Sequence, residues 1–322
     1  MNTQKYTNWD DTFSKDWPVE CQEIEIKSSK DGKLQKAYFY STKGTKPRPL
    51  VVSLHTWSSN YQQEDALSYK CVNKNYNYIH PDFRGPNFTF ESCGSPLVIS
   101  DIDDAIDYSI KNGNVDLNSI HVIGVSGGGY ATLLTYMNSK HNIKTFSAWS
   151  PISNLVDWYY ESEGRNAKYA KHIAMVTNGC SFENKPYYLN LEEAKKRSPI
   201  YMHTPVKKRE HSNLFIYHGI HDGYTGSVPI THSIRMYNKI IQDFNPKLEA
   251  DLIPSCDIIK LLTYRRNTEE KGSLIGRRIH YDKKHNNSVR VVIFEGTHEM
   301  LIKIALKKVN KKNEIYENNE KQ

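Results

Sequence analysis

The sequence predicts an α/β fold, a mostly parallel central sheet with helices on both faces. Three observations carry that expectation. Strand-like runs alternate with helix-length segments from residue 50 onward. The runs Leu50–Leu54, Ile120–Val125, Leu214–Tyr217 and Val289–Phe294 are apolar with few interruptions, as strands covered on both faces should be. One of them breaks into glycines around a single serine, Gly124-Val125-Ser126-Gly127-Gly128, and an apolar helical stretch follows at once.

In chain order, Glu20–Lys27 and Lys33–Ser41 alternate polar and apolar residues across Asp31-Gly32, the pattern of a β-hairpin. Lys43–Pro49 reads as a short linker. Then come a strand at Leu50–Leu54, a helix near Glu64–Asn73, a strand at Tyr76–His80 and a helix near Val98–Lys111. Asp101, Asp103 and Asp104 fall near the start of that last helix and are expected to face solvent, where the helix N-terminus favours negative charge. The strand Ile120–Val125, the helix Ala131–Asn138 and the strand Thr145–Trp149 follow.

Two segments interrupt the alternation. Ser150–Arg197 carries Trp158, Tyr159 and Tyr160, then Glu161 and Arg165. Its aromatics either contact a substrate or pack the segment onto the core. Asn245–Ser288 is expected to hold a short helix, Cys256–Tyr264, and a basic hairpin around Arg277–Asp282. The expected organisation is one domain over 1–322, with an N-terminal hairpin extension at 1–48, a cap insertion at 150–197 and a basic insertion at 245–288. The charged tail Lys307–Gln322 is expected to fray.

Gly124–Gly128 fits the G-x-S-x-G pattern, a strained strand-to-helix turn that lifts a serine hydroxyl out of a sheet. Glycine-rich turns also bind phosphates, but this one lacks the Lys-Ser/Thr ending of a P-loop and the spacing of a dinucleotide turn. A nucleophilic serine needs a base to take its proton and an acid to orient that base. Both have candidates at later strand ends, each beside a glycine: Asp222 in Gly219-Ile220-His221-Asp222-Gly223, and His298 in Gly296-Thr297-His298. Their order along the chain, serine, acid, histidine, is the one this turn requires. The candidate catalytic residues are therefore Ser126, Asp222 and His298, and the candidate oxyanion donors are the backbone N–H groups of Gly127 and Trp57. Arg84, in the loop after the Tyr76–His80 strand, is a candidate substrate contact together with Trp158, Tyr159 and Tyr160. An internal ion pair with a loop-shaping role is the competing reading of Arg84.

With these residues in place the chain resembles the α/β-hydrolase superfamily, in particular the catalytic domain of its prolyl-oligopeptidase-like branch. The matching pieces are Asp82-Phe83-Arg84-Gly85, Gly124–Tyr130, Arg197-Ser198-Pro199-Ile200, His218-Gly219 with Asp222, Val228-Pro229 and Gly296–Met300, spread from Pro49 to Lys308. The loop Gly223–Ser227 between the acid and Val228-Pro229 is longer than is usual in that branch, and Thr56 stands where a glycine is usual in the oxyanion loop. The resemblance implies a serine hydrolase. Peptidases of the branch commonly carry a β-propeller, for which residues 1–48 are too short. The expectation is an esterase, acting on an acylated carbohydrate or related small ester. A peptidase of small peptides, gripping a peptide terminus with Glu161 and Arg165, is the alternative, and a non-catalytic binder of glycan or protein is the third.

Composition narrows the partners. Of the +7 formal net charge, a conspicuous part lies in Arg265, Arg266, Lys271, Arg277, Arg278, Lys283 and Lys284, read as a solvated basic surface or a site for acidic polysaccharide. No recognition motif for nucleic acid accompanies it. Five scattered cysteines (Cys21, Cys71, Cys93, Cys180, Cys256) suggest neither a metal site nor a disulfide framework, so no cofactor or metal is expected. No stretch is long and apolar enough to span a membrane, and the polar start Met1–Asp16 lacks a signal-peptide core. A cytoplasmic location is the default expectation, or a secreted or periplasmic one if a leader has been trimmed.

Overall fold

The computed structural model describes residues 16–179, 188–247, 249–266, 272–286 and 288–309. Most of the tail, the first fifteen residues, Cys180 and Lys271 lie outside them. The strands are β1 (Gln22–Lys27), β2 (Leu34–Tyr40), β3 (Arg48–Leu54), β4 (Asn77–Pro81), β5 (Val115–Val125), β6 (Thr145–Trp149), β7 (Asn213–Gly219), β8 (Ser273–Leu274), β9 (Arg277–His285) and β10 (Val289–Phe294). The helices are α1 (Ala66–Asn73), α2 (Pro96–Asn112), α3 (Gly127–Asn138), α4 (Leu155–Gly164), α5 (Tyr169–Asn178), α6 (Leu191–Lys196), α7 (Val206–Arg209), α8 (Thr231–Phe244), α9 (Ser255–Tyr264) and α10 (Ile302–Lys307). Among the described residues, none of these helices is long and apolar enough to cross a membrane.

The strands form one sheet in the order β1-β2-β4-β3-β5-β6-β7-β10-β9-β8. The six central strands β4, β3, β5, β6, β7 and β10 run parallel; the hairpin β1-β2 and the pair β9-β8 flank them antiparallel. Alternation along the strands sorts side chains into two cores. Leu50, Val52, Val122, Ile216 and Val291 join one, with Ile102 of α2, Leu133 of α3 and Ile240 of α8. Val51, Ile123, Tyr217 and Val292 join the other, with Leu67 of α1 and Leu306 of α10. A third core packs α4 and α5 through Leu155, Trp158, Tyr169 and Ile173 against Trp57 and Tyr130.

The structure adds to two expectations and corrects a third. The basic hairpin is formed by β8 and β9, and β9 pairs along β10, so it extends the main sheet. Helix α8 was not anticipated, although Ile234, Tyr237, Ile240 and Ile241 are spaced as one helical stripe and all are buried. Asp101, Asp103 and Asp104 are buried, because residues remote in sequence supply their partners. Asp101 pairs with Arg84, Asp103 accepts from Ser139 Oγ (2.5 Å) and the Lys140 N–H (3.0 Å), and Asp104 accepts from the Ser29 N–H (2.7 Å).

Candidate active site

The register places the three candidate catalytic residues on one rim. Val125 of β5 pairs with Trp149 of β6, Trp149 with Tyr217 of β7, and Tyr217 with Val292 of β10. Ser126, Asp222 and His298 each follow this row, so all three leave the sheet at its carboxyl edge, where open α/β sheets hold their ligands.

Ser126 has φ 57° and ψ −120°, a conformation that costs a non-glycine residue on the order of 1–3 kcal/mol. Its surroundings enforce it: the Ser126 N–H donates to Trp149 O (2.9 Å), and its carbonyl accepts from the Tyr130 N–H (2.9 Å) as α3 begins. A β-carbon on Gly124 would overlap the backbone of Gly128, so the turn closes only with glycine at that position. A β-carbon on Gly127 would overlap the backbone nitrogen of Trp57. That close approach brings the two candidate oxyanion N–H groups side by side. Among the described residues the Trp57 N–H has no backbone acceptor.

The loop bearing Trp57 is fixed from every direction. The Thr56 N–H donates to Gln63 Oε1 (2.7 Å), and Trp57 O accepts from the Asn87 N–H (2.7 Å). Here Thr56, which replaces the usual glycine, gains a partner in Gln63, whose Nε2 also donates to Thr56 Oγ1 (3.1 Å). The Trp57 indole is fully buried, lies edge-on to Trp158 (4.7 Å between centroids) and donates from Nε1 to His172 Nδ1 (3.2 Å). Burial holds His172 largely neutral, with its pKa lowered to about 4, as that acceptor role requires.

Across the site, Asp222 spends every lone pair inside the protein. Oδ1 accepts from the N–H groups of Gly223 (2.8 Å) and Val228 (3.0 Å). Oδ2 accepts from His298 Nδ1 (2.7 Å) and from His218 Nε2 (2.9 Å). His218 Nε2 also faces Val228 O (2.9 Å); with two acceptors before it, it must carry the proton, and Nδ1 then accepts from Ser233 Oγ (2.6 Å). Burial works against the Asp222 charge, yet His298, by charge when protonated and by hydrogen bond, and His218, by hydrogen bond, hold the carboxyl well below the usual carboxylate range. With Nδ1 donating to a carboxylate, the basic nitrogen of His298 is Nε2.

The structure therefore joins Asp222 with His298 and sets Gly127 beside Trp57. The proposed substrate contacts fare differently. Arg84 follows the ion-pair reading rather than that of a substrate contact: two carboxylates claim it, with Nε on Asp101 Oδ2 (2.5 Å) and Nη1 on Asp31 Oδ2 (2.7 Å). Nη2 donates to Ser28 Oγ (3.0 Å), so the guanidinium ties the β1-β2 turn to α2. Trp158 and Tyr159 are buried, Trp158 donating from Nε1 to Ser227 O (2.9 Å), while Tyr160 is exposed at 59%. His218 and His172 escaped the sequence reading as site residues, because each acts on a partner with no local signature. Among the described residues no group of three His, Cys, Asp or Glu side chains is arranged to hold a metal ion.

Comparison with known proteins agrees with this architecture. Residues 38–240, more than half of the chain, match the family described as BD-FAE. Acylamino-acid-releasing enzyme 1 of Oryza sativa subsp. japonica is 27% identical over 132 residues, 37% of this chain and 17% of that enzyme. This chain thus spans about a fifth or less of the curated relatives it matches. The acylaminoacyl peptidase of Pyrococcus horikoshii superposes with a TM-score of 0.54 at 18% identity, over 70% of this chain and 35% of that one. Oligopeptidase B of Leishmania major gives 0.54 at 12% identity, over 90% and 36%. At these identities the superpositions establish the α/β-hydrolase fold.

Proposed function

Because the chain belongs to the BD-FAE family, a group of α/β-hydrolase fold, we propose that it is a serine hydrolase working through an acyl-enzyme. More narrowly, we propose an esterase that removes a small acyl group, acetyl foremost, from a carbohydrate or related ester. The observation that carries the proposal is the 2.7 Å hydrogen bond from His298 Nδ1 to a charged, buried Asp222, which fixes the tautomer a general base needs on the rim that also bears Ser126.

In this reading Ser126 Oγ attacks the ester carbonyl and His298 Nε2 takes its proton. The N–H groups of Gly127 and Trp57 stabilise the oxyanion, and His298 returns the proton to the departing alcohol. Water, deprotonated by the same nitrogen, then releases the acid and restores the Ser126 hydroxyl. Ser126 and His298 are 1% and 2% exposed, an enclosure that favours a small acyl group.

The choice of ester over peptide rests on Glu161 and Arg165, the pair suited to gripping a peptide terminus. Glu161 Oε2 accepts from His232 Nε2 (2.9 Å), and Arg165 is spent on loop carbonyls, Gly223 O at 2.9 Å among them. The second reading, a peptidase of acylated amino acids, is favoured by the names of the relatives. A chromogenic acetate ester and an aminoacyl nitroanilide, each given to the wild type and to Ser126→Ala, separate the two. The proposal expects ester turnover to dominate and to vanish in the variant. Equal rates in both proteins remove Ser126 as nucleophile, and faster anilide cleavage favours the peptidase.

A further inference from the structure

The long acid loop has an anchor outside the triad. Arg165, the C-cap of α4, reaches the loop of residues 223–227. Its Nη1 donates to Gly223 O (2.9 Å) and Gly226 O (3.3 Å), and Nη2 donates to Ser227 O (3.0 Å). Nε donates to Glu161 O (2.8 Å) in the last turn of its own helix, which fixes the direction of the fork. Helix α4 is itself fastened to α8, the helix that follows the acid loop, by Arg235 on Asp157 (2.5 Å) and His232 on Glu161 (2.9 Å).

What the loop touches gives the clamp its meaning. A β-carbon on Gly226 would overlap Asp222 Oδ1 and come within 2.7 Å of the His298 β-carbon. The backbone of Gly226 therefore lies directly on the Asp222–His298 pair, and Asp222 Oδ1 closes the loop by accepting from Gly223 and Val228. A shift of this loop moves both members of the pair.

We propose that Arg165 is a positioning residue for the Asp222–His298 pair, holding the 223–227 loop against it by three backbone carbonyls. This inference rests on the catalytic reading of that pair given above. It assigns to a lengthened loop, which by itself would be loose, an outside brace that keeps its carbonyls in register. An exposed arginine makes individually weak hydrogen bonds, so the effect belongs to geometry more than to stability.

The test uses the full chain as wild type, Arg165→Ala and Arg165→Lys. Hydrolysis of a chromogenic acetate should fall roughly 10- to 100-fold in kcat for Arg165→Ala, with KM changed less than about twofold, since small misplacements of catalytic groups cost this much. Lysine, with one charged centre in place of a fork, should recover part of the rate, and added guanidinium ion should rescue the alanine variant but not the wild type. The low-field N–H proton resonance of the His298–Asp222 hydrogen bond should broaden or shift in Arg165→Ala and return towards the wild-type position with guanidinium. An unshifted resonance with kcat within twofold of wild type overturns the proposal. The resonance needs no substrate, so it reports on Arg165 even if Ser126→Ala retains full turnover and the catalytic reading fails.

Discussion

On the side of the site proposed to hold the oxyanion, Trp57 is locked by burial: an aromatic cage, a neutral histidine acceptor and a glycine turn that admits no other residue against it. On the acid side, Asp222 is locked by polarity: a charged carboxylate with four donors, beneath a loop braced from the surface. The first wall is stabilised by keeping its histidines uncharged, the second by keeping its carboxylate charged. The two walls should therefore fail under different perturbations.

The largest expected effect lies on the acid side. Asp222→Asn keeps the shape but can turn an amide N–H toward His298 Nδ1, which favours the wrong tautomer; kcat should drop on the order of 10⁴-fold while the fold persists. Loss of less than tenfold would show that the pair does not work as a unit, and would erase the contrast between the walls.

A smaller effect separates them by pH. His80, beneath the oxyanion loop, and His172 are held by burial at about 3 and about 4, below the ordinary histidine value near 6.5. In the unfolded chain both take up protons as pH falls below about 6.5, while in the folded protein they stay neutral until those lowered values. Stability should thus be flat between about pH 7 and 8 and decline as pH drops towards 4, by about 2 kcal/mol for each histidine at pH 5. Asp222, with its carboxyl held low, adds its own loss only below about pH 4, where the unfolded carboxyl protonates. Urea unfolding at pH 7 and pH 5 checks this; burial holds His121 of β5 at about 3 in the same way, so His172→Phe should remove about a third of the decline. A decline of the same size in that variant would place the titrating groups elsewhere.

The same division explains what the sequence disclosed. Strands with two-faced apolar runs, the glycine turn at Ser126 and the glycine-flanked Asp222 and His298 are local patterns, and the structure brings them to one edge of the sheet. The aspartates of α2 were misjudged because their partners lie 17 to 75 residues away, and charge alone does not tell a buried pair from a solvated one. The brace at Arg165 spans 58 to 62 residues and ends on backbone carbonyls, which every residue possesses and no sequence pattern marks. Trp158 had two readings, substrate contact or packing, and its full burial beneath Ser227 favours packing.

The most direct measurement is covalent capture of the nucleophile by a fluorophosphonate, located by peptide mass spectrometry in the wild type, Asp222→Asn and Ser126→Ala. The account predicts rapid, single modification at Ser126, slowed strongly in Asp222→Asn and lost in Ser126→Ala. Modification at another residue, or equal labelling of all three proteins, would contradict it.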